Sequence, residues 1–294
     1  MLRKQKSMPI KEIDKIIHAA FCEDHVYKDV TTNALIPRDY IVRARIILKQ
    51  KAVVCGVDIV KRIFKILDPR VIVQLKAKNS KLLTKGAELI TLKGPARSIL
   101  AGERVALNFL GHLSGIATIT RNFVDAVYPN KVKILDTRKT TPGWRALEKY
   151  AVVAGGGSNH RHDLKEMILI KDNHRMICGK QGFSIKDIIK KSRKRSRKKL
   201  EIEVDNFNEF KEAIEAGPDV ILLDNMTVAQ VQKIVKYNNS FHKNKKKQTL
   251  LEVSGNINIK NVKKMADTGI DFISIGVLTH TKQNVDISME VSNE

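Results

Sequence analysis

From residue 131 onward the chain repeats one device: a short apolar run that ends on a polar or glycine residue. VKILD, MILIK, LEIEVD, DVILLD, LLEVS and FISIG follow one another, most of them separated by helical patterns such as NEFKEAIEAG, TVAQVQKIV and IKNVKKMADTG. Short aliphatic runs alternating with helices require parallel strands covered by helices, so this region is an α/β sheet or barrel. The runs finish on Asp136, Lys171, Glu203 with Asp205, Asp224, Ser254 and Gly276. A single carboxylate after a strand is ordinarily a helix cap or a solvated turn. Six strands with the same habit mark the carboxyl-end face, where such folds put their chemistry.

The first third mixes elements. Ile10, Ile13, Ile16, Ile17, Ala20 and Phe21 recur at helical spacing, which makes the opening an amphipathic helix and not a signal peptide. VRARIILKQKAVVCG, VIVQLKA and ELITLKG read as strands, VDIVKRIFKIL and ARSILAGERVALNFLGHLSGIAT as helices. No run of eighteen apolar residues occurs, so no membrane helix is expected. Cys22, Cys55 and Cys178 have no ligand spacing, as in a reduced, cytoplasmic protein. The net charge of +23 is concentrated in KKSRKRSRKK and HKNKKK. Neither run carries interleaved aromatics, so both read as solvated helix ends and loops, with weak polyanion binding as the rival account.

On the strand-end face Arg138, Lys139, His160, Arg161, Lys171 and His174 supply cations or potential cations, and Glu203 and Asp224 supply carboxylates. Guanidinium forks match carboxylates and phosphates, so such a set implies a substrate with several negative groups. The two carboxylates would repel that substrate unless a hard divalent cation, Mg2+, bridged them. Gly255 and Gly276, after the last two strands, let backbone N–H groups approach a phosphate. The run AGGGSNHRHD lacks the G-x-G-x-x-G order of a dinucleotide loop. Its glycines read as a close backbone passage that presents His160 and Arg161.

DTRKTTPGWRALEKYAVVAGGGSNHRHDL followed by ILIKDNH resembles the signature of the quinolinate phosphoribosyltransferase family. GERVALNFLGHLSGIAT, EIEVDNFNEFKEAIEAGPDVILLDNM, LEVSGNI and DFISIGVLTH continue the likeness in the family's order, over nearly the whole chain. The resemblance implies an N-terminal α+β sandwich-like domain over 1–114 and an open, incomplete α/β barrel of the type II phosphoribosyltransferases over 115–281. The tail, about 282–294, would pack back on the first domain.

The implied reaction joins the ring nitrogen of quinolinate to C1 of 5-phosphoribosyl-1-pyrophosphate. It releases pyrophosphate and CO2 and leaves nicotinate mononucleotide, in de novo NAD biosynthesis. By the same resemblance Thr137, Arg138, Lys139, His160, Arg161 and Lys171 line the quinolinate and pyrophosphate pocket, with Lys171 nearest the chemistry. Glu203 and Asp224 meet the ribose hydroxyls and Mg2+. Ser254, Gly255, Asn256, Ile275, Gly276 and Val277 grip the 5-phosphate, and Arg104 enters from the partner subunit of a homodimer. No membrane and no specific nucleic acid is implied as a partner.

Asn256 stands where the family usually has a second glycine, either narrowing the phosphate loop or adding a hydrogen bond. Ser158, His162 and Asp163 also depart from the family's loop. The alternatives are a paralogue of the molybdenum-locus type acting on another acceptor, a Schiff-base aldolase built on Lys171, and a basic nucleic-acid-binding protein. The aldolase leaves Glu203, Asp224 and the arginines without a task.

Overall fold

The computed structural model describes residues 10–243, 248–281 and 283–292. The basic opening MLRKQKSMP and most of the HKNKKK run lie outside them. The chain divides into two compact units. One holds the residues up to Arg121, Lys139–Gly157 and the segment from Val277; the other holds Asn122–Arg138 and Ser158–Gly276.

In chain order the first elements are α1 (Ile10–Glu23), α2 (Val30–Leu35), β1 (Ile41–Leu48), β2 (Ala52–Val53), α3 (Val57–Leu67), β3 (Ile72–Leu75), β4 (Leu82–Leu83), β5 (Glu88–Pro95) and α4 (Ala96–Ala126). There follow β6 (Lys133–Leu135), α5 (Arg145–Ala154), β7 (Ile168–Ile170), α6 (Asp172–Gly179), α7 (Ile185–Arg195), β8 (Leu200–Val204), α8 (Phe207–Glu215) and β9 (Val220–Asp224). The last are α9 (Val228–His242), β10 (Leu250–Ser254), α10 (Val262–Ala266), β11 (Phe272–Ser274), α11 (Val277–His280) and β12 (Ile287–Ser292).

The first unit carries an antiparallel sheet in the order β12-β1-β5-β3. Along β1 the buried Val42, Ala44, Ile46 and Leu48 alternate with outward-facing Ile41, Arg43 and Arg45, the period-2 pattern of a strand with one face on a core. Val57, Val60, Ile63 and Phe64 make the buried stripe of α3. The C-terminal strand returns to this sheet, with Ala44 opposite Val291 and Leu48 opposite Ile287.

The second unit carries a six-stranded sheet in the order β6-β11-β10-β9-β8-β7, parallel throughout. β6 and β7 are consecutive strands of this sheet, yet they form its two edges. A closed barrel would pair them, so the ladder is an open one. Helix starts follow local chemistry: Ser184 with Asp187 closes a capping box on α7, and Thr227 with Gln230 does the same on α9. The basic run ends α7, where Arg193, Lys194 and Arg195 complement the negative end of the helix dipole. Arg193 also pairs with Asp219 at 2.6 Å.

The glycine run has a packing reason. A Cβ built on Gly155 would lie 2.4 Å from the Ala117 carbonyl oxygen, and one on Gly157 would lie 2.8 Å from Thr120 Cγ2. The chain passes against α4 too closely for any side chain. Gly155→Ala is therefore expected to cost roughly 1–3 kcal/mol through overpacking. A urea midpoint equal to that of the parent chain would contradict this.

Candidate active site

β8 is buried at every position although it carries Glu201 and Glu203. Two carboxylates in a five-residue buried strand need partners, because an uncompensated buried charge is costly. Their period-2 spacing puts both on one face of the sheet. Glu203, nearer the strand end, meets Lys171, whose Nζ lies 3.4 Å from Oε2. Lys171 follows β7 directly and is half exposed. An exposed ammonium facing a carboxylate has an electrostatic setting, unlike the dry pocket that activates a Schiff-base lysine.

Asp224 ends β9, beside Glu203, and Asp205 follows β8. One oxygen from each of Glu203, Asp205 and Asp224 lies within 4.8 Å of the others. Burial pushes the Glu203 carboxyl above its ordinary range; Lys171 opposes that shift and Asp224 adds to it. Asp224 is likewise raised, first by burial and then by Asp205. Asp205 is held by Arg175 at 2.5 Å, and Arg175 also pairs with Glu209. Three carboxylate oxygens this close offer the kind of ligand that hard divalent cations take.

The loop after β10 is tied to this cluster. Asn225 takes a left-handed backbone, φ 52°, and so does Asn256. The Asn256 amide donates to Asn225 Oδ1 at 3.0 Å, and the Asn225 amide donates to Asp224 Oδ2 at 2.7 Å. Asn256 thus keeps the backbone that a glycine would adopt and adds a hydrogen bond, and asparagine tolerates that conformation better than most residues. Between them, Gly255 has φ 88°, and a Cβ there would fall 2.1 Å from Asn225 Oδ1. Gly255 is obligatory for this contact.

His160 and Arg161 follow the glycine run in a loop anchored at both ends. Ser158 bridges to Leu135, and its N–H donates to the Ile134 carbonyl at 2.8 Å. The buried Asp136, at the end of β6, accepts the His160 N–H at 2.9 Å. His162 donates its N–H to Glu166 at 2.6 Å, and Asp163 accepts the Lys165 N–H at 2.9 Å. The three departures from the family loop therefore shape its turns.

Arg161 is buried, 8 % exposed. Burial and the neighbouring Arg138 hold its guanidinium below the usual arginine range. Its side chain donates to the Met167 carbonyl at 3.4 Å and meets no carboxylate at ion-pair distance among the described residues. It lines a cavity of about 390 Å3 with Lys165, His174 and Lys198. Glu201 and Asp163 act on the guanidinium in the opposite sense to Arg138.

The remaining expected residues are placed separately. Thr137 and Arg138 follow β6 and are half-buried, Lys139 is exposed, and Arg104 is exposed on α4. In the first unit the buried Glu148 accepts the Thr141 N–H at 3.1 Å and meets His112 Nε2 at 3.0 Å, which orders the chain beyond Lys139. Ser254 and Gly276 close β10 and follow β11, and the Ile275 N–H donates to the Leu135 carbonyl at 2.9 Å. Val277 opens α11.

Two residues that the sequence reading passed over lie deeper in the sheet. Glu201 Oε2 is 3.1 Å and Glu252 Oε2 is 3.6 Å from His160 Nε2. Burial and then Glu201 push Glu252 from 4.5 up to about 8. A carboxyl raised in the folded state stabilises the fold fully below its unfolded pKa, and that contribution is lost as pH rises through the folded value. Stability is therefore expected to fall between about pH 4.5 and 8. Glu252→Gln should flatten that slope, and an unaltered pH dependence of its thermal midpoint would contradict the assignment.

An N-terminal antiparallel sheet, an open parallel α/β barrel, and a strand-end face of carboxylates and cations define a type II phosphoribosyltransferase fold. Residues 116–290 match the family model described as quinolinate phosphoribosyl transferase, C-terminal domain, and residues 29–114 match its N-terminal domain. The chain belongs to the quinolinate phosphoribosyltransferase family. It is 40% identical over 287 residues to a probable carboxylating nicotinate-nucleotide pyrophosphorylase of Bacillus subtilis, covering 96% of this chain and 95% of that protein. The solved nicotinate-nucleotide pyrophosphorylase of Francisella tularensis superposes with a TM-score of 0.90 at 33% identity, over 99% of this chain and 100% of that one. That of Ehrlichia chaffeensis gives 0.87 at 40% identity, over 95% and 98%.

Proposed function

We propose that the strand-end face binds quinolinate through Arg161, Arg138 and Lys139, and 5-phosphoribosyl-1-pyrophosphate through the carboxylates and the glycine loops. The activity is quinolinate phosphoribosyl transfer, which yields nicotinate mononucleotide for NAD biosynthesis. The ring nitrogen's lone pair forms the bond to C1 as the bond from C1 to pyrophosphate breaks. The pyridinium so formed accepts the electron pair left when the C2 carboxylate departs as CO2, and C2 takes a proton. No protein nucleophile is needed, so the residues bind, orient and stabilise charge.

The observation that carries the reading is Arg161, buried against like charge. A ring 2-carboxylate supplies the anion that this guanidinium lacks. Lys171 serves the pyrophosphate or the departing carboxylate, and its pairing with Glu203 keeps its ammonium over the strand ends. Glu203 and Asp224, with Asp205 beside them, are the residues that would hold Mg2+, which neutralises the pyrophosphate. The backbone of Ser254, Gly255 and Asn256, and that of Ile275, Gly276 and Val277, takes the 5-phosphate. Arg104 is assigned to the site of a partner subunit in a homodimer. We place the enzyme in the cytoplasm on its three unpatterned cysteines, and no helix among the described residues is long and apolar enough to cross a membrane.

Phthalate, which has the two adjacent carboxylates without the ring nitrogen, isolates the proposed clamp. Calorimetric titration is expected to show phthalate binding well above that of benzoate. Equal affinities would argue against a dicarboxylate site.

A further inference from the structure

The inner carboxylates of the sheet have no part in the reaction outlined above. We infer that Glu201, with Glu252 beside it, is a positioning residue that locks His160 in its Nε2–H tautomer and, through His160, sets the backbone that presents Arg161.

The contacts form a continuous chain. The Arg161 amide N–H donates to His160 Nδ1 at 2.7 Å. A main-chain N–H only donates, so Nδ1 carries no proton and the ring proton lies on Nε2. That N–H lies 3.1 Å from Glu201 Oε2, with Glu252 Oε2 at 3.6 Å. The His160 main-chain N–H is held by Asp136 Oδ1 at 2.9 Å. One residue is therefore fixed from the end of β6, from β8 and from β10, and the next residue carries the buried guanidinium. The inner carboxylates are nearly inaccessible, 1 % and 2 % exposed. The second oxygen of each is buried without a hydrogen-bond partner. Leaving such atoms unsatisfied costs stability, so the pair calls for an explanation.

The same three side chains also have the composition of a metal site, with one ligand atom from each within 4.8 Å of the others. A metal on Nε2 would move the ring proton to Nδ1, directly against the Arg161 N–H. The geometry therefore favours a hydrogen-bonded cluster over a metal centre.

This inference rests on the reading of Arg161 as the quinolinate clamp, and the experiment keeps the two apart. Long-range 1H–15N correlation spectra of 15N-histidine-labelled protein are expected to show His160 as the Nε2–H tautomer. In Glu201→Leu that signature should be lost, with the quinolinate KM raised about tenfold and kcat little changed. Glu201→Gln, whose amide oxygen still accepts from Nε2–H, should restore both. An Nδ1–H tautomer in the parent protein would overturn the inference, and so would a stoichiometric bound metal that Glu201→Gln removes. So would a parental spectrum in Glu201→Leu. Should that variant fail to fold, the parental tautomer and its retention in Glu201→Gln still decide. If Arg161→Ala raises KM and a folded Glu201→Leu does not, transmission to Arg161 is refuted. If the tautomer follows the Glu201 variants while Arg161→Ala leaves KM unchanged, the lock on His160 stands and the clamp reading fails.

Discussion

Arg161→Ala is expected to weaken quinolinate binding by roughly 2–5 kcal/mol, the cost of leaving a desolvated carboxylate without its charged partner. The parent guanidinium is 8 % exposed and has a carbonyl, at 3.4 Å, as its hydrogen-bond acceptor. Removing it deletes one weak internal bond, relieves repulsion from Arg138 and gives up attraction to Glu201 and Asp163, and the fold is expected to survive. The loss should appear as a KM for quinolinate more than tenfold higher, since 1.4 kcal/mol already corresponds to tenfold. A circular-dichroism spectrum like the parent's, with an unchanged quinolinate KM, would remove Arg161 from the substrate site.

Neutralising the strand-end carboxylates should act on the other substrate. Glu203→Gln or Asp224→Asn is expected to lower turnover with 5-phosphoribosyl-1-pyrophosphate by about 10²–10³-fold, the scale for losing one preorganised electrostatic contact. The half-saturating Mg2+ concentration should rise in parallel. Burial raises both carboxyls above their ordinary range, and a neighbouring carboxylate adds to it, Asp224 for Glu203 and Asp205 for Asp224. As pH falls they therefore take up protons earlier than exposed carboxylates would, and cation binding should fade with them. Mg2+ titrations of the parent and both variants at one fixed pH measure the first effect. A half-saturation in both variants equal to the parent's would show that these carboxylates hold no cation.

The features that could be read from the sequence were those carried by local pattern. Apolar runs ending on Lys171, Glu203, Asp224 and Ser254 announce parallel strands and one working face, because the run length and the polar terminus are both local. The passage of Gly155 and Gly157 against Ala117 and Thr120 was legible only as a backbone needing room; the neighbour that needs it comes from a helix some forty residues earlier in the chain. Glu201 and Glu252 were hidden by their surroundings. Each is a single carboxylate inside an apolar strand, and only the period-2 relation to Glu203 and Ser254 signals an inward face. What meets them there, His160, arrives from another loop, and no spacing in the chain encodes that meeting. The hydrogen bond from Asn256 to Asn225 was one of two outcomes left open, and tertiary contact decided it.

Incubation of the purified protein with quinolinate, 5-phosphoribosyl-1-pyrophosphate and Mg2+ tests the central claim most directly, with nicotinate substituted for quinolinate in a parallel reaction. Nicotinate mononucleotide, pyrophosphate and CO2 should form in equal amounts from quinolinate, with little product from nicotinate, which lacks the second carboxylate that we assign to Arg161. Product from nicotinate at the same rate, or none from quinolinate under conditions that support a known family member, would contradict the account.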